Sequence, residues 1–385
     1  MRRVDRLSIS AALALALALA ASTSAVRAEL PAEEIGSNTL PFPPDPHRVY
    51  ILDVDFKNPI AGKVVVVDPK AKRMLGMTTN AFVAPTALSP DNRTLYSANL
   101  FYSRGTYGER TDVLVAWDTQ TLRPEWEVVL PAKRASTLTE KYAMGISADS
   151  KLAYVFNLTP STSVTVVDTQ ARKVASEVAI SGCVLNYPVG KRSFASLCGD
   201  GQLLLVTLDD QGKEVSRTQT PFFDPNKVRL NERAIANGDT YYFTTTHGEV
   251  YPVSFEGGKT KPLPTWSLVS DEERKQGWAP GGWQALAVAP GLNRLYALMH
   301  DQHTDGKWED PSTIIWSFDL KTGKKLGTLE SPKPVWSLQA SHDKAPILVA
   351  TDLEGGVQFF DLATGKHSGA MNQIADTPVL TLAPW

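Results

Sequence analysis

Short runs of alternating apolar and polar residues recur along the chain, and each run ends in an acidic residue followed by a polar turn. Examples are "KVVVVDPK", "SVTVVDTQ" and "IIWSFDLKTG". The separations between the acids are 50, 50, 41, 47, 63 and 42 residues, a period typical of propeller blades. The acids that anchor the seven repeats are Asp68, Asp118, Asp168, Asp209, Glu256, Asp319 and Asp361.

Each repeat holds about four short strands, and helical periodicity is almost absent. This pattern predicts an all-β fold, a seven-bladed β-propeller with four-stranded antiparallel blades. The first repeat lacks its own first strand, and the C-terminal "TPVLTLAPW" has the form of the first strands "PTALSP" and "ALAVAP". We therefore expect the C-terminal strand to complete blade one and close the ring.

The repeated acids could be read as a catalytic or metal-binding array. An Asp before Thr-Gly or Gln-Gly is more simply the start of a hairpin turn, where its carboxylate accepts backbone N–H bonds. We favour this structural interpretation.

The N-terminal region predicts export. Residues 1–28 combine Arg2, Arg3 and Arg6 with a short apolar run and "SAVRA", which indicates a secretory signal peptide cleaved near Ala28. Residues 29–47 are rich in proline and acid and predict an extended arm, and residues 48–385 form the propeller. The expected location is the periplasm.

The chain has two cysteines, Cys183 and Cys198, placed symmetrically about Gly190-Lys191 in a predicted hairpin. Cysteines at equal distances from a turn face each other, so a cross-strand disulfide is geometrically plausible. A redox-active pair is the alternative, but no Cys-x-x-Cys pattern supports it. We expect the disulfide to be structural.

The charge balance and the known motifs limit which partners and which kinds of active site we expect. Lys and Arg total 39 against 41 Asp and Glu, with no basic stripe, so neither nucleic acid nor a membrane is an expected partner. Known nucleophile, phosphate-loop and zinc motifs are missing, so no catalytic residues are assigned. His300 and His303 could ligate a metal with Asp301 or Asp305, but we favour a solvated loop and predict no metal.

Three long loops carry aromatic and arginine residues of the kind that anchor interfaces. They lie in "FYSRGTYGERTDV", "DEERKQGWAPGGW" and "HDQHTDGKWEDPST". The alternative is that these rings only cap the blade ends, and composition does not choose between the two. The candidate partner contacts are Phe101, Tyr102, Arg104, Arg110, Trp278 and Trp283, with Tyr107 and Trp308 beside them.

Four stretches resemble the heavy (alpha) subunit of the periplasmic quinoprotein amine dehydrogenases, the methylamine and aromatic amine dehydrogenase family. They are "HRVYILDVDF", "RGTYGERTDV", the cysteine-bearing "GC…RSFASLCGDG" and "DEERKQGWAPGGWQ". The resemblance implies a seven-bladed heavy chain in an alpha2beta2 assembly with a small, disulfide-rich light (beta) subunit. It implies that the cofactor, tryptophan tryptophylquinone, is carried by the light chain and not by this one.

The same resemblance implies the reaction. Primary amines are oxidised to aldehyde and ammonia, and the electrons pass to a cupredoxin such as amicyanin or azurin. Phe56, in "RVYILDVDF", matches a heavy-chain phenylalanine that lines the substrate channel; the alternative is an ordinary apolar loop residue. The preferred amine, the copper protein and the loops that touch the light chain stay open.

Two other functions fit the same repeats. One is a stand-alone exported propeller of the YVTN-like type, which binds a small ligand or a protein. The other is a propeller enzyme such as a lactonase, which needs a metal-binding set of acids and histidines on the axis.

Overall fold

β-Strands form nearly all of the regular structure in the computed structural model, which describes residues 38–137, 140–302, 304 and 306–384. The predicted signal peptide and residues 29–37 of the predicted arm lie outside the described residues. Leu40 and Phe42 of the arm contact the propeller: the Leu40 amide donates to the Gln120 carbonyl at 2.8 Å, and the Arg93 guanidinium lies 4.3 Å from the Phe42 ring centroid.

Every pairing between the strands is antiparallel, and the strands group into six hydrogen-bonded sheets. Four sheets have four strands each. Sheet 1 contains β1 (Val49–Asp53), β2 (Lys63–Asp68), β3 (Arg73–Thr79) and the C-terminal β29 (Pro378–Leu382). Sheet 2 contains β4 (Thr86–Leu88), β5 (Thr94–Tyr102), β6 (Arg110–Asp118) and β7 (Pro124–Leu130). Sheet 3 contains β8 (Met144–Ile146), β9 (Leu152–Asn157), β10 (Ser163–Asp168) and β11 (Lys173–Ala179), and sheet 4 contains β12 (Cys183–Val189), β13 (Ser193–Cys198), β14 (Gln202–Leu208) and β15 (Glu214–Pro221).

The remaining two sheets are larger. Sheet 5 has five strands: β16 (Leu230–Asn237), β17 (Thr240–Thr245), β18 (Glu249–Ser254), β19 (Lys261–Pro262) and β20 (Trp266–Ser267). Sheet 6 has eight strands: β21 (Ala279–Pro280), β22 (Leu286–Ala289), β23 (Arg294–His300), β24 (Ser312–Asp319), β25 (Lys325–Ala340), β26 (Ile347–Asp352), β27 (Val357–Asp361) and β28 (Lys366–Met371). Helical structure among the described residues is short: α1 (Asp271–Lys275) and the 3-10 turns Lys141–Ala143, Glu256–Gly258 and Pro290–Leu292.

The prediction of seven four-stranded blades is wrong. Five sheets have the four or five strands of a single blade, and the sixth has eight. The cause is β25, whose 16 residues pair with β24 through the first part and with β26 through the last part. Seven separate blades require a loop between each repeat and the next. Instead, the extended strand β25 joins the last two repeats into one sheet. At the other end of the chain, β29 pairs with β1, so the C-terminal strand lies in sheet 1.

Packing between sheets explains the continuous apolar runs. Val64, Val65, Val66 and Val67 of β2 are all buried. Val64 and Val66 pack with residues of sheet 2, whereas Val65 and Val67 pack with residues of sheet 6. Because alternate residues of a strand point to opposite faces, a sheet covered on both sides needs apolar residues at every position.

The acids that close the repeats are turn residues, as predicted, with one exception. The Asp68 carboxylate accepts from the amides of Lys70 and Ala71, both at 3.0 Å. The same arrangement recurs at Asp118, Asp168, Asp319 and Asp361, whereas Asp209 accepts from the amides of Gln211 and Lys213. These hydrogen bonds stabilise the charged carboxylate, and the Thr322 amide lowers the pKa of Asp319 in this way. Glu256 instead begins a 3-10 turn.

Alternating strand direction places the connections at two ends of the sheets. One end, here called the short-turn end, carries the Asp turns. The other, the long-loop end, carries the hairpins that follow β1, β5 and β23 and the connections that lead into the first strand of the next repeat. The loops at the long-loop end include 54–62, 80–85, 103–109, 268–285 and the described residues of 301–311.

Candidate functional site

All of the predicted channel and partner-contact residues lie at the long-loop end. Phe56 is in the hairpin between β1 and β2, and Phe101, Tyr102, Arg104 and Arg110 flank or form the hairpin between β5 and β6. Trp278 and Trp283 lie in the connection that leads into β22. The fold therefore gathers at one end residues that are more than 200 positions apart in the chain.

Phe56 lies on a tight turn and points its ring to solvent. The Asp55 carboxylate accepts from the amides of Lys57 at 3.1 Å and Asn58 at 3.0 Å, which fixes the backbone on both sides of the ring. Phe56 is 53% exposed, and Ile60 in the same loop is 46% exposed. An apolar pair held outward by an ordered turn is suited to lining a wall or meeting a partner. No sequence motif distinguishes Ile60 from other apolar residues.

The loop of Phe56 is tied to the neighbouring sheet. The Phe82 amide donates to the Pro59 carbonyl at 2.7 Å, and the Phe82 ring packs edge-on against Tyr102 with centroids 5.2 Å apart. Next to this pair Phe101 is 46% exposed. The exposed ring of Phe101 therefore lies beside the packed rings of Phe82 and Tyr102.

Arg104 and Arg110 differ in their surroundings. Arg104 is exposed, with its guanidinium 5.9 Å from the ring centroid of Tyr107, itself 62% exposed. Arg110 binds both carboxylate oxygens of the buried Asp112 at 2.7 Å and donates to the Arg134 carbonyl at 2.7 Å. The hydrogen bonds that Arg110 donates to Asp112 raise the pKa of Arg110. Arg110 thus holds its own loop in place.

Trp278 packs on its own chain. Its ring centroid lies 4.8 Å from that of Trp316, and the Lys325 ammonium lies 3.1 Å from the Trp316 centroid on the same cluster. The preceding helix α1 is locally specified, because Ser270 and Glu273 form a reciprocal capping box. Glu273 also pairs with Lys325 at 2.7 Å, so the helix and the tryptophans form one unit.

The two glycines between the tryptophans, Gly281 and Gly282, allow close packing of the loop. Gly282 has a φ of +99°, and a Cβ there would lie 2.6 Å from the Trp336 carbonyl oxygen. A Cβ at Gly281 would collide with the His300 ring. Any other residue at these two positions would push the loop off sheet 6.

Trp283 packs against a largely buried ionic cluster that no sequence motif marks. The Arg233 guanidinium lies 4.0 Å from the Trp283 ring centroid, and Trp283 packs at 5.9 Å against Trp336. Arg233 also pairs with the buried Glu140 at 3.0 Å and with Glu309 at 2.6 Å. Burial alone would lower the pKa of Arg233, but the two carboxylates outweigh it and raise that pKa.

An axial cavity of ≈ 300 Å³ lies among the innermost strands. Its walls are largely apolar and come from β4, β8, β12, β16, β17, β25 and β29 and from the 3-10 turn Lys141–Ala143. Lys141 and His342 line it, and the residues at its outer part, such as Pro90 and Gly190, lie in turns of the short-turn end. No sequence motif marked this cavity, because its lining residues come from six different repeats.

The histidine pair is only partly described. His300 ends β23 and is buried, which does not fit the expected solvated loop, whereas His303 and Asp305 lie outside the described residues. Within the described part of the chain, no group of three or more His, Cys, Asp or Glu side chains is placed to hold a metal ion. Over the same residues, no helix has the length and apolar character that crossing a membrane requires.

Cys183 and Cys198 are joined by a disulfide. They lie directly opposite each other on β12 and β13, in the hairpin predicted from their spacing. Both are buried, in the same core cluster as Tyr187 and Phe194, so the bond lies within the core of sheet 4.

Comparison with known proteins identifies the relatives of this chain. The methylamine dehydrogenase heavy chain family matches residues 45–384. The methylamine dehydrogenase heavy chain of Methylophilus methylotrophus is 28% identical over 87% of this chain and 82% of its own length. That of Methylorubrum extorquens is 27% identical over 88% and 83%, respectively.

The similarity to solved structures concerns only the fold. The β-propeller domain of Cps50 (Swd1) from Myceliophteria thermophila superposes with a TM-score of 0.53 at 10% identity, covering 80% of this chain and 93% of that domain. The family match spans the whole propeller and includes the loops of Phe56, Arg110 and Trp283. This chain belongs to the methylamine dehydrogenase heavy chain family.

Proposed function

We propose that this chain is the heavy subunit of a tryptophan tryptophylquinone-dependent amine dehydrogenase, in which it acts as scaffold and as a wall of the substrate channel. The quinone of the light subunit supplies the oxidising group that converts a primary amine to aldehyde and ammonia. The observation that carries the proposal is the family match over residues 45–384. Curated relatives matched over nearly the same length are methylamine dehydrogenase heavy chains.

The tryptophans of this chain have structural surroundings. Trp278 packs with Trp316, and Trp283 lies between Arg233 and Trp336. Such rings serve as packing and cation–π partners. These contacts support the assignment of the quinone to the partner subunit.

The long-loop end is the surface that we assign to the light subunit. It presents Phe56, Ile60, Phe101 and Tyr107, four large apolar or aromatic side chains that are each about half exposed or more. Aromatic residues that stand free on an ordered support are typical interface anchors. Two heavy and two light chains would form the assembly, and a cupredoxin such as amicyanin or azurin would accept the electrons.

The export of the chain is part of the proposal. The N-terminal pattern of residues 1–28 is that of a secretory signal peptide. The disulfide between Cys183 and Cys198 fits an oxidising compartment such as the periplasm.

The channel role of Phe56 gives a specific prediction. We expect Phe56→Ala to change the ratio of kcat/KM values between a small and a bulky primary amine by about tenfold, because an aromatic wall selects substrates by volume. The rate at which the best substrate reduces the quinone should change far less. Steady-state and rapid-mixing kinetics of the assembled enzyme measure both quantities.

Ile60→Ala, in the same loop, is the matched control for a general effect of loop truncation. If Phe56→Ala leaves the ratio between amines unchanged, or if both variants change it equally, the channel role is wrong.

The heavy-subunit role is tested by purifying the tagged chain from its native host and recording subunit masses. A small, cysteine-rich partner in stoichiometric amount supports the proposal. A stable single chain, from cells that grow on amines, supports the alternative of a stand-alone ligand-binding propeller.

A further inference from the structure

The axial cavity contains a cation without a counter-charge. Lys141 lines the cavity, and its ammonium makes only a long contact of 3.4 Å, to the Oε1 atom of Gln339. Among the described residues no carboxylate lies within ion-pair distance of this ammonium. Its sequence neighbour Glu140 is engaged by Arg233. A charge in an apolar enclosure is costly unless an ion of opposite sign joins it.

The walls of the cavity determine what could join it. Leu88, Ile146 and Ile235 line it, together with the aromatic side chains of Tyr142 and Tyr241. The Tyr241 hydroxyl donates to the Pro188 carbonyl at 2.6 Å, so its polar end is already engaged. A volume of ≈ 300 Å³ is at the lower limit of ligand cavities, which suits a small molecule with an apolar body.

The other titratable groups of the cavity limit the charge of the ligand. His342 lies against the Pro384 carbonyl, at 2.8 Å from its Nδ1 atom, and burial lowers its pKa, so it is neutral near pH 7. Burial raises the pKa of both Tyr142 and Tyr241, which keeps them neutral as well. Asp239 is exposed at the outer part of the cavity and disfavours a ligand of high negative charge.

We propose that the axial cavity binds a small organic monocarboxylate, with its carboxylate on the Lys141 ammonium and its apolar body against Leu88, Ile146 and Ile235. The outer part of the cavity lies at the short-turn end, and the occupancy of the cavity does not depend on the amine dehydrogenase role.

Calorimetric titration of the purified protein with benzoate tests the proposal, with benzamide and acetate as comparison ligands. We expect saturable 1:1 binding of benzoate, at least about tenfold tighter than binding of either comparison ligand, because benzamide lacks the charge and acetate lacks the apolar body. Equal binding of all three, or none, overturns the proposal.

Variants locate the site. Lys141→Met keeps the stem of the side chain and removes the charge, and it should weaken benzoate binding at least about tenfold. Lys259→Met, on an exposed loop outside the cavity, should leave the binding unchanged. Ala87→Leu, which fills part of the cavity, gives a second test should Lys141→Met fold poorly; it should weaken benzoate binding more than acetate binding. Benzoate binding that is indifferent to Lys141→Met and Ala87→Leu contradicts the site.

The pH profile of the wild-type protein gives an independent check. Burial lowers the pKa of Lys141 to about 8, so the lysine loses its proton as the pH rises above that value. Since benzoate binds the protonated form, its affinity should fall about tenfold between pH 7 and pH 9. A flat profile over that range overturns the role of Lys141.

Discussion

Two groups of aromatic residues lie at the long-loop end, and they differ in what surrounds them. Trp278 and Trp283 pack against other tryptophans of the chain, and Trp283 also lies under the Arg233 guanidinium. Phe56 and Phe101 stand out from ordered loops with about half of their surface exposed. In the sequence the two groups look alike, as aromatic residues in long loops beside glycine or charge.

The difference separates two roles that composition does not distinguish. The tryptophan group stabilises the loops of this chain, because its contacts are made within the subunit. The phenylalanine group has unburied apolar surface, which a partner can cover. We therefore expect substitutions in the first group to affect the free energy of unfolding, and those in the second to affect assembly and substrate choice.

The largest effect is expected at Arg233, whose guanidinium packs on the ring of Trp283. Arg233→Met should lower the free energy of unfolding by about 4 kcal/mol, because it leaves the buried Glu140 carboxylate without its partner. Chemical denaturation of the isolated chain measures this value. Arg217→Met, which breaks an exposed pair with Glu214, should cost less than about 1 kcal/mol. Equal effects of the two substitutions would contradict the assignment of Arg233 as a buried anchor.

A smaller loss is expected for the ring itself. Trp283→Ala should lower the free energy of unfolding by about 3 kcal/mol, since it removes a packed side chain between Arg233 and Trp336. Tyr107→Ala, at a mostly exposed ring, is the control and should change stability by no more than about 0.5 kcal/mol. If Trp283→Ala is as mild as the control, Trp283 belongs with the partner-contact group after all.

The smallest effect on stability is expected at Phe101. Phe101→Ala should change the free energy of unfolding of the isolated chain by no more than about 0.5 kcal/mol, because nearly half of the side chain is already exposed. The same substitution should weaken association with the light subunit by about tenfold. Sedimentation or light scattering of the mixed subunits measures the association.

Val129→Ala is the matched control for Phe101, because Val129 is also exposed but lies on β7, outside the long-loop hairpins. It should leave both stability and association unchanged. A Phe101→Ala variant that associates as tightly as the Val129→Ala variant would remove Phe101 from the interface.

Much of the fold is readable from the sequence because it is locally encoded. The alternating runs predicted the strands, and the Asp turns predicted the hairpins that Asp68 and Asp319 close. The number of blades was not readable in this way. Whether consecutive repeats are separated depends on the connection between them, and β25 runs through without a loop.

The site was less predictable, for a physical reason. Which loops carry aromatic residues is visible in the sequence, but the exposure of each ring depends on residues far away in the chain. Trp283 is covered by Arg233, which pairs in turn with Glu140, 93 positions earlier. The axial cavity and Lys141 were missed for the same reason, since the walls of the cavity come from strands of six repeats.

The central claim is that this chain supports a quinone-bearing light subunit, and the visible spectrum of the complex purified through this chain tests it most directly. The account predicts a quinone absorption band that travels with a small partner subunit and bleaches when a primary amine is added. A colourless preparation that does not respond to amines, from cells growing on amines, would contradict it.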